Sequence, residues 1–290
     1  MASEDPRAVL DFFTARAREI RTPCGDGEMV WREWGAAAPG TVPLVLLHGG
    51  SGAWNHWVRN IPVLEDRYRV VAADLPGCGD SADPSEPYDA DSLAGIVSDG
   101  LDAIVPGDGQ YDLVSFSFGG VLSGLVARRQ GARLRSLTIV GTPILGLITT
   151  GKANDLVAIP AHLPPEEAAP LYRGNLEKLM VHDPAAIDDL AMCLHLENMA
   201  KVRLRSRGIA RRHPVAPDLV GSACALNFIF GECDPTLAPD LAGVRAHVAE
   251  THPDANFHVV PGAGHWVQYE ASEAFNRLLL SWLERFYAVS

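Results

Sequence analysis

The chain has 290 residues, 47% of them hydrophobic and 21% charged, which suits one large α/β domain with an insertion, or two small domains, and leaves little room for extended disorder. A formal net charge of -12, from 24 basic and 36 acidic residues, provides no positive field to hold nucleic acid or an anionic membrane. Cys24, Cys78, Cys193, Cys224 and Cys233 are odd in number, scattered and without C-x-x-C spacing, which argues against a disulfide framework and against a zinc site.

In chain order, Met1 to Pro6 is acidic and polar where a secretory leader would be basic and then apolar, and no apolar run is long enough to span a bilayer. A cytoplasmic protein is expected. Val9, Phe12, Phe13 and Ile20 recur at helical spacing and predict a leading helix over Pro6 to Ile20. A turn over Thr22 to Gly27 precedes an alternating strand, Met29 to Trp34, and a Gly/Ala/Pro loop runs through Gly40. Val42 to Leu47 is apolar almost throughout, as strands buried on both faces are, and ends at His48-Gly49-Gly50-Ser51-Gly52. Trp54 to Leu64 reads as helix, Tyr68 to Ala73 as a buried strand, and Asp74-Leu75-Pro76-Gly77-Cys78-Gly79-Asp80-Ser81 as a glycine-rich loop, before a helix up to Val105. The strand Tyr111 to Val114 runs through Ser115-Phe116-Ser117-Phe118-Gly119-Gly120 into a helix ending at Gly131, and Leu134 to Val140 is a further strand.

Strands alternating with helices predict a mostly parallel, twisted sheet covered on both faces. The alternation stops from about Ile144 to Val220, where only helical segments and Pro-rich breaks are found, and resumes with strands at Ala225 to Phe230 and Asn256 to Val260 and a helix over Ser272 to Tyr287. A helical block between two strands of one sheet is expected to be an inserted cap over the carboxyl edge, where open α/β sheets place their ligands. The expected division is core over residues 1–143, cap over 144–220 and core again over 221–290.

A serine at the tip of a strand-to-helix turn, flanked by small residues, has the form of a G-x-S-x-G nucleophile elbow, with Ser115 in place of the first glycine. The competing reading of Ser117 is a helix cap. A serine nucleophile needs a base, and the base an orienting anion. Among the ten histidines, His265 alone lies in a small-residue loop after a late strand. Asp234 follows the strand Phe228 to Phe230, with Glu232 as its rival. Oxyanion donors are expected from the backbone of Phe118 and of Gly50, with Gly49 and Ser51 as rivals to the latter.

These landmarks, His48-Gly49-Gly50, the Asp74 to Ser81 loop, the Ser115 to Gly120 elbow, Gly231-Glu232-Cys233-Asp234 and Gly264-His265, resemble in kind and order those of the α/β-hydrolases. The resemblance implies an α/β-hydrolase fold with an inserted helical cap, Ser117 as nucleophile, His265 as general base and acid, Asp234 as orienting carboxylate, and Asp74 as a loop-shaping residue. The tail Gly264 to Glu270, continuing to Arg277, is similar to the meta-cleavage-product hydrolases, which cleave a carbon-carbon bond in vinylogous diketo acids. Ser115-Phe116 departs from the glycine and asparagine of those enzymes, and their Gly-Pro-Gly oxyanion loop is missing after Gly50. A serine rather than an aspartate at the elbow disfavours haloalkane-dehalogenase and epoxide-hydrolase chemistry.

The expectation is therefore hydrolysis of a small-molecule carboxylic ester, with no metal or organic cofactor. Carbon-carbon hydrolysis of a diketo acid is the alternative, followed by a lyase or a receptor on the same scaffold. Substrate contacts are expected from Trp54 and Trp266, and from Arg203 and Arg205 in the basic stretch Lys201 to Arg207, where one of Arg203, Arg205 and Arg207 would pair with a substrate carboxylate. The partner is a small molecule, neither nucleic acid nor membrane, and a homo-oligomer is left open.

Overall fold

Runs with no polar interruption can only be strands if both of their faces are covered. Such runs supply the centre of an eight-stranded sheet in the computed structural model, which describes residues 5–35, 41–146, 155–160, 162–237 and 241–286. The strands are β1 (Arg18–Cys24), β2 (Gly27–Trp34), β3 (Leu44–Leu47), β4 (Val70–Ala73), β5 (Tyr111–Phe116), β6 (Leu134–Val140), β7 (Ala225–Gly231) and β8 (Asn256–Val260). Their order is β1-β2-β4-β3-β5-β6-β7-β8. β2 is antiparallel to both β1 and β4, and every other neighbouring pair is parallel. From β3 the chain steps to one side to make β4 and then to the other to make β5. The carboxyl ends of β3 and β5 thus flank the topological switch point, where such sheets open a crevice.

The helices are α1 (Pro6–Arg16), α2 (Ile61–Leu64), α3 (Ala90–Ile104), α4 (Phe118–Gln130), α5 (Pro165–Leu179), α6 (Asp189–Lys201), α7 (Ser206–Ala210), α8 (Ala216–Leu219), α9 (Leu241–Thr251), α10 (Val267–Glu270) and α11 (Ser272–Leu283). One hydrophobic cluster holds α3 and α4 against the sheet, and a second holds α1, α11 and the turn after β3 against its other face. Between β6 and β7 the described residues form α5 to α8 and no strand; positions 147–154 and 161 of the expected cap lie outside them. Ile144 O accepts from the amides of Val215 and Ala216, which pins the two ends of this insertion together. Among the described residues, no helix is long and apolar enough to cross a membrane.

Three local expectations are corrected. The leading helix stops at Arg16, and Ile20 and Thr22 belong to β1, an edge strand whose exposed Arg and Glu residues hide the apolar alternation of a strand. The stretch Trp54 to Leu64 is broken into a 3-10 turn (Trp54–Trp57) and α2, since Pro62 lacks an amide to extend a helix backwards. Helix α9 carries no counterpart in the sequence reading. Tyr287, the expected end of the last helix, lies outside the described residues, and α11 itself ends at Leu283.

The loop after β4 is built on Asp74. One carboxylate oxygen accepts the Trp54 amide at 2.8 Å, and the other accepts the Arg32 guanidinium at 2.8 Å and the Asp80 amide at 3.0 Å. Arg32 also pairs with Asp80 and is itself 4% exposed. Truncating Asp74 takes from a buried guanidinium its one fully buried anionic partner and leaves the more exposed Asp80 and, at 4.0 Å, Glu19, so Asp74→Ala is expected to lower stability by about 3–5 kcal/mol. A urea unfolding midpoint equal to that of the native protein would show that Asp80 and Glu19 compensate.

Candidate active site

Ser117 sits where β5 gives way to α4, at φ 50° and ψ -110°. This left-handed backbone is strained for a residue with a Cβ and throws its side chain out of the sheet's edge. The turn is clamped on both sides. The Ser117 amide donates to Val140 O at 2.8 Å and its carbonyl accepts from Thr142 Oγ1 at 3.2 Å. Gly119 must be small, because a Cβ there would lie 2.6 Å from His48 O, to which its amide donates. Ser115 fits the first small-residue position because its hydroxyl is buried against Ser123 Oγ of α4 at 3.0 Å. The departure from glycine is thus accommodated by a polar contact across the elbow.

Opposite the elbow, the loops after β7 and β8 bring Asp234 and His265 into line with it. His265 Nε2 lies 2.9 Å from Ser117 Oγ, and His265 Nδ1 lies 2.8 Å from Asp234 Oδ2. Since a carboxylate only accepts, Nδ1 carries the proton, and Nε2 is left to accept from the serine hydroxyl. Asp234 is 7% and His265 3% exposed. The rival Glu232 is turned away, accepting from the Gly262 amide at 2.9 Å on the surface.

Thr236 completes the line and was missed by sequence reasoning. Its amide and its hydroxyl donate to Asp234 Oδ1 at 2.8 and 2.7 Å, and its Oγ1 is 3.1 Å from His265 Nδ1. The signal was available in Asp234-Pro235-Thr236, since aspartate commonly folds back on the amide two residues ahead.

The His265 loop is held by Glu270, whose carboxylate accepts the amides of Gly264 at 2.7 Å, Asp183 at 2.7 Å and His182 at 3.0 Å. The Trp266 amide donates to Met180 O at 2.6 Å. One acidic side chain thereby ties the histidine loop to the end of α5.

On the β3 side, two neutral histidines fix the glycine loop. His48 Nε2 accepts from the Leu75 amide at 2.9 Å, so its protonated Nδ1 donates to Gly49 O at 2.7 Å, while the Gly49 amide donates to His56 Nδ1 at 3.4 Å. Burial lowers the pKa of His48, and burial together with neighbouring histidines takes that of His56 well below the ordinary value. His56 gave no sign of this role in the sequence. Gly49 is thereby engaged. The amides of Gly50 and Phe118 have no acceptor in the protein among the described residues, and both residues line the same cavity as Ser117.

That cavity measures about 460 Å³, within the range of small-molecule sites. Its floor is Gly50, Ser117, Phe118, Thr236 and His265, and its roof is largely apolar, with Leu156, Ile159, Leu176, Leu179, Met180 and Met199. His195 also faces it, edge-on to Tyr172, with its pKa pushed down by burial to about 4, so the imidazole is neutral at pH 7.

Of the side chains expected to contact substrate, four lie elsewhere. Trp54 is buried against Trp34 and Phe13 under the sheet, and Trp266 stacks on Tyr269 with its indole N–H donating to His56 O. Arg203 is drawn to Asp83 and to the carbonyls of Ser81 and Lys201, and Arg205 is exposed just before α7. Aromatic bulk seeks the core and arginine seeks nearby carboxylates and carbonyls, which is why composition misplaces them. Arg207, the third arginine of that stretch, does line the cavity.

The chain is similar to known proteins in sequence and in fold. The dihydrolipoyllysine-residue acetyltransferase component of an acetoin cleaving system from Pseudomonas putida is 31% identical over 269 residues; these are 88% of this chain, which spans only 66% of that protein. A 2-hydroxy-6-oxononadienedioate/2-hydroxy-6-oxononatrienedioate hydrolase from Burkholderia vietnamiensis is 28% identical over 283 residues, covering 90% of this chain and 93% of its own. In three dimensions a carboxylesterase from Bacillus subtilis matches with a TM-score of 0.75 at 17% identity, over 96% of this chain and 95% of its own, a likeness of fold. The sequence profile of the alpha/beta hydrolase family matches residues 44–278, from β3 into α11 and so across every loop that reaches the cavity, and the chain belongs to that family.

Proposed function

We propose that this hydrolase cleaves a small carboxylic ester with an apolar acyl group, using Ser117 as nucleophile. The observation that carries the reading is the Asp234–His265–Ser117 line, with contacts of 2.8 and 2.9 Å, opening into an apolar cavity. In this mechanism Ser117 Oγ attacks the ester carbonyl while His265 Nε2 takes its proton, and Asp234 stabilises the imidazolium that forms. The carbonyl oxygen, now anionic, is received by the Gly50 and Phe118 amides, the latter at the positive N-terminus of α4. His265 then protonates the departing alcohol. Water, activated by the same imidazole, releases the acid and restores the serine.

A second reading, hydrolysis of a carbon-carbon bond in a diketo acid, is favoured by Arg207. Its side chain belongs to the cavity wall, and a guanidinium there can pair bidentately with a substrate carboxylate. The relative from Burkholderia vietnamiensis carries the name of such an enzyme. Initial rates on nitrophenyl esters of graded acyl length, on vinylogous diketo acids and on the neutral esters of those acids separate the two. The ester reading expects kcat/KM on the order of 10⁴ M⁻¹s⁻¹ or more for acyl groups that fill the cavity. Faster turnover of the diketo acids than of any simple ester would replace it with the second reading.

A further inference from the structure

The geometry points to Ser206, the first residue of α7, as a catalytic residue whose hydroxyl donates to the oxygen of the scissile carbonyl, a third donor beside the Gly50 and Phe118 amides. The inference rests on the serine-hydrolase reading and adds a residue that the elbow and oxyanion loops do not contain. Ser206 comes from the helical insertion, 156 and 88 positions away from Gly50 and Phe118 in the chain. A Cβ built on Gly50 would lie 2.4 Å from Ser206 Oγ and 3.8 Å from Phe118 Cβ. The hydroxyl and the two residues that offer amides therefore surround one point on the cavity wall. All three line the cavity with Ser117.

Two further features fit a hydroxyl waiting for substrate. The residue is 7% exposed, yet its side chain has no hydrogen-bond partner in the protein among the described residues, and it does not cap α7, whose preceding residue is Arg205. A hydroxyl on the cavity wall that has no partner among the described residues is open to a ligand oxygen. Its placement is also enforced from below. The amides of Arg203 and Leu204 both donate to Gly77 O, at 2.8 and 3.1 Å, and the Arg203 guanidinium holds Asp83 at 2.5 Å. The arginine expected to grip substrate instead fastens the segment that carries Ser206 to the loop after β4. The inserted segment would then take part in the chemistry as well as in enclosing the substrate.

The same arrangement explains why residue 50 has no side chain. A methyl group there would collide with Ser206 Oγ and push the hydroxyl off the oxyanion site.

The test compares native protein with Ser206→Ala in three measurements: ester kinetics, the rate of labelling by a fluorophosphonate, and inhibition by a trifluoromethyl ketone. In the labelling step the Ser117 Oγ–P bond forms as the P–F bond breaks, fluoride leaves and His265 takes the serine proton, and an anionic phosphoryl oxygen occupies the same donors. The expected result is a fall in kcat of about tenfold to a hundredfold with KM within about twofold, the lower end of what losing one oxyanion donor costs. Labelling is expected to slow, and the ketone to bind more weakly, by a similar factor. Native and variant protein labelled at equal rates, or a change confined to KM, would overturn the assignment and leave Ser206 as a wall of the cavity. Failure of the native protein to be labelled at all would instead overturn the serine-hydrolase reading beneath it. Loss of kcat with unaltered ketone affinity would assign the effect to packing and also overturn the proposal.

Discussion

Ser117→Ala is expected to reduce ester turnover by roughly 10⁴- to 10⁶-fold and to abolish labelling by a fluorophosphonate. The size of the effect follows from what remains. With no oxygen at position 117 there is no acyl-enzyme, and the route left is direct attack by water on a carbonyl still polarised by the Gly50 and Phe118 amides. Stability should change little, because the hydroxyl makes one hydrogen bond, to His265 Nε2, and alanine is no more comfortable than serine at φ 50°. A variant that keeps its melting temperature while losing activity would localise the loss to chemistry. Retention of more than about one per cent of the native rate would mean that the reaction does not pass through Ser117.

The parts of this molecule that were legible in the sequence are those whose physics is local. Apolar runs such as Leu44–Leu47 declare their burial without reference to anything else, and the glycine-rich loops after them mark where the chain must turn. The positions of Ser117, Asp234 and His265 follow from which strand each one ends. Edge strand β1 was hidden because an exposed strand carries little apolar signal, its pairing with β2 being decided across the Gly25-Asp26 turn. Substrate contacts were the least legible. Arg203 and Trp54 were read from residue type, but Asp83 and the Trp34 ring, distant in sequence, claim them first. Thr236 and His56 belong to the same class: each acts by holding another group, and only the folded loops show which group is within reach.

Asp234→Asn is expected to lower kcat roughly 10⁴-fold with little change in substrate affinity, because Thr236 decides which way the new amide faces. In the native protein Oδ1 accepts from both the amide and the hydroxyl of Thr236, at 2.8 and 2.7 Å, and Oδ2 faces His265 Nδ1 at 2.8 Å. An asparagine in this site keeps its carbonyl oxygen toward the two Thr236 donors, so its NH₂ group is presented to Nδ1. Two N–H groups cannot face each other; Nδ1 must give up its proton and accept, which moves the proton to Nε2. That nitrogen then donates to Ser117 Oγ instead of accepting from it, and the nucleophile loses its base while every heavy atom stays in place. Thr236→Val in the asparagine background removes the hydroxyl donor that biases the amide and lets its oxygen turn toward His265. The double variant should therefore recover part of the lost rate, although the valine change alone lowers it. Measuring kcat for the single and double variants decides the matter: strictly multiplicative losses would mean that Asp234 acts by its charge alone and that Thr236 does not set the histidine tautomer.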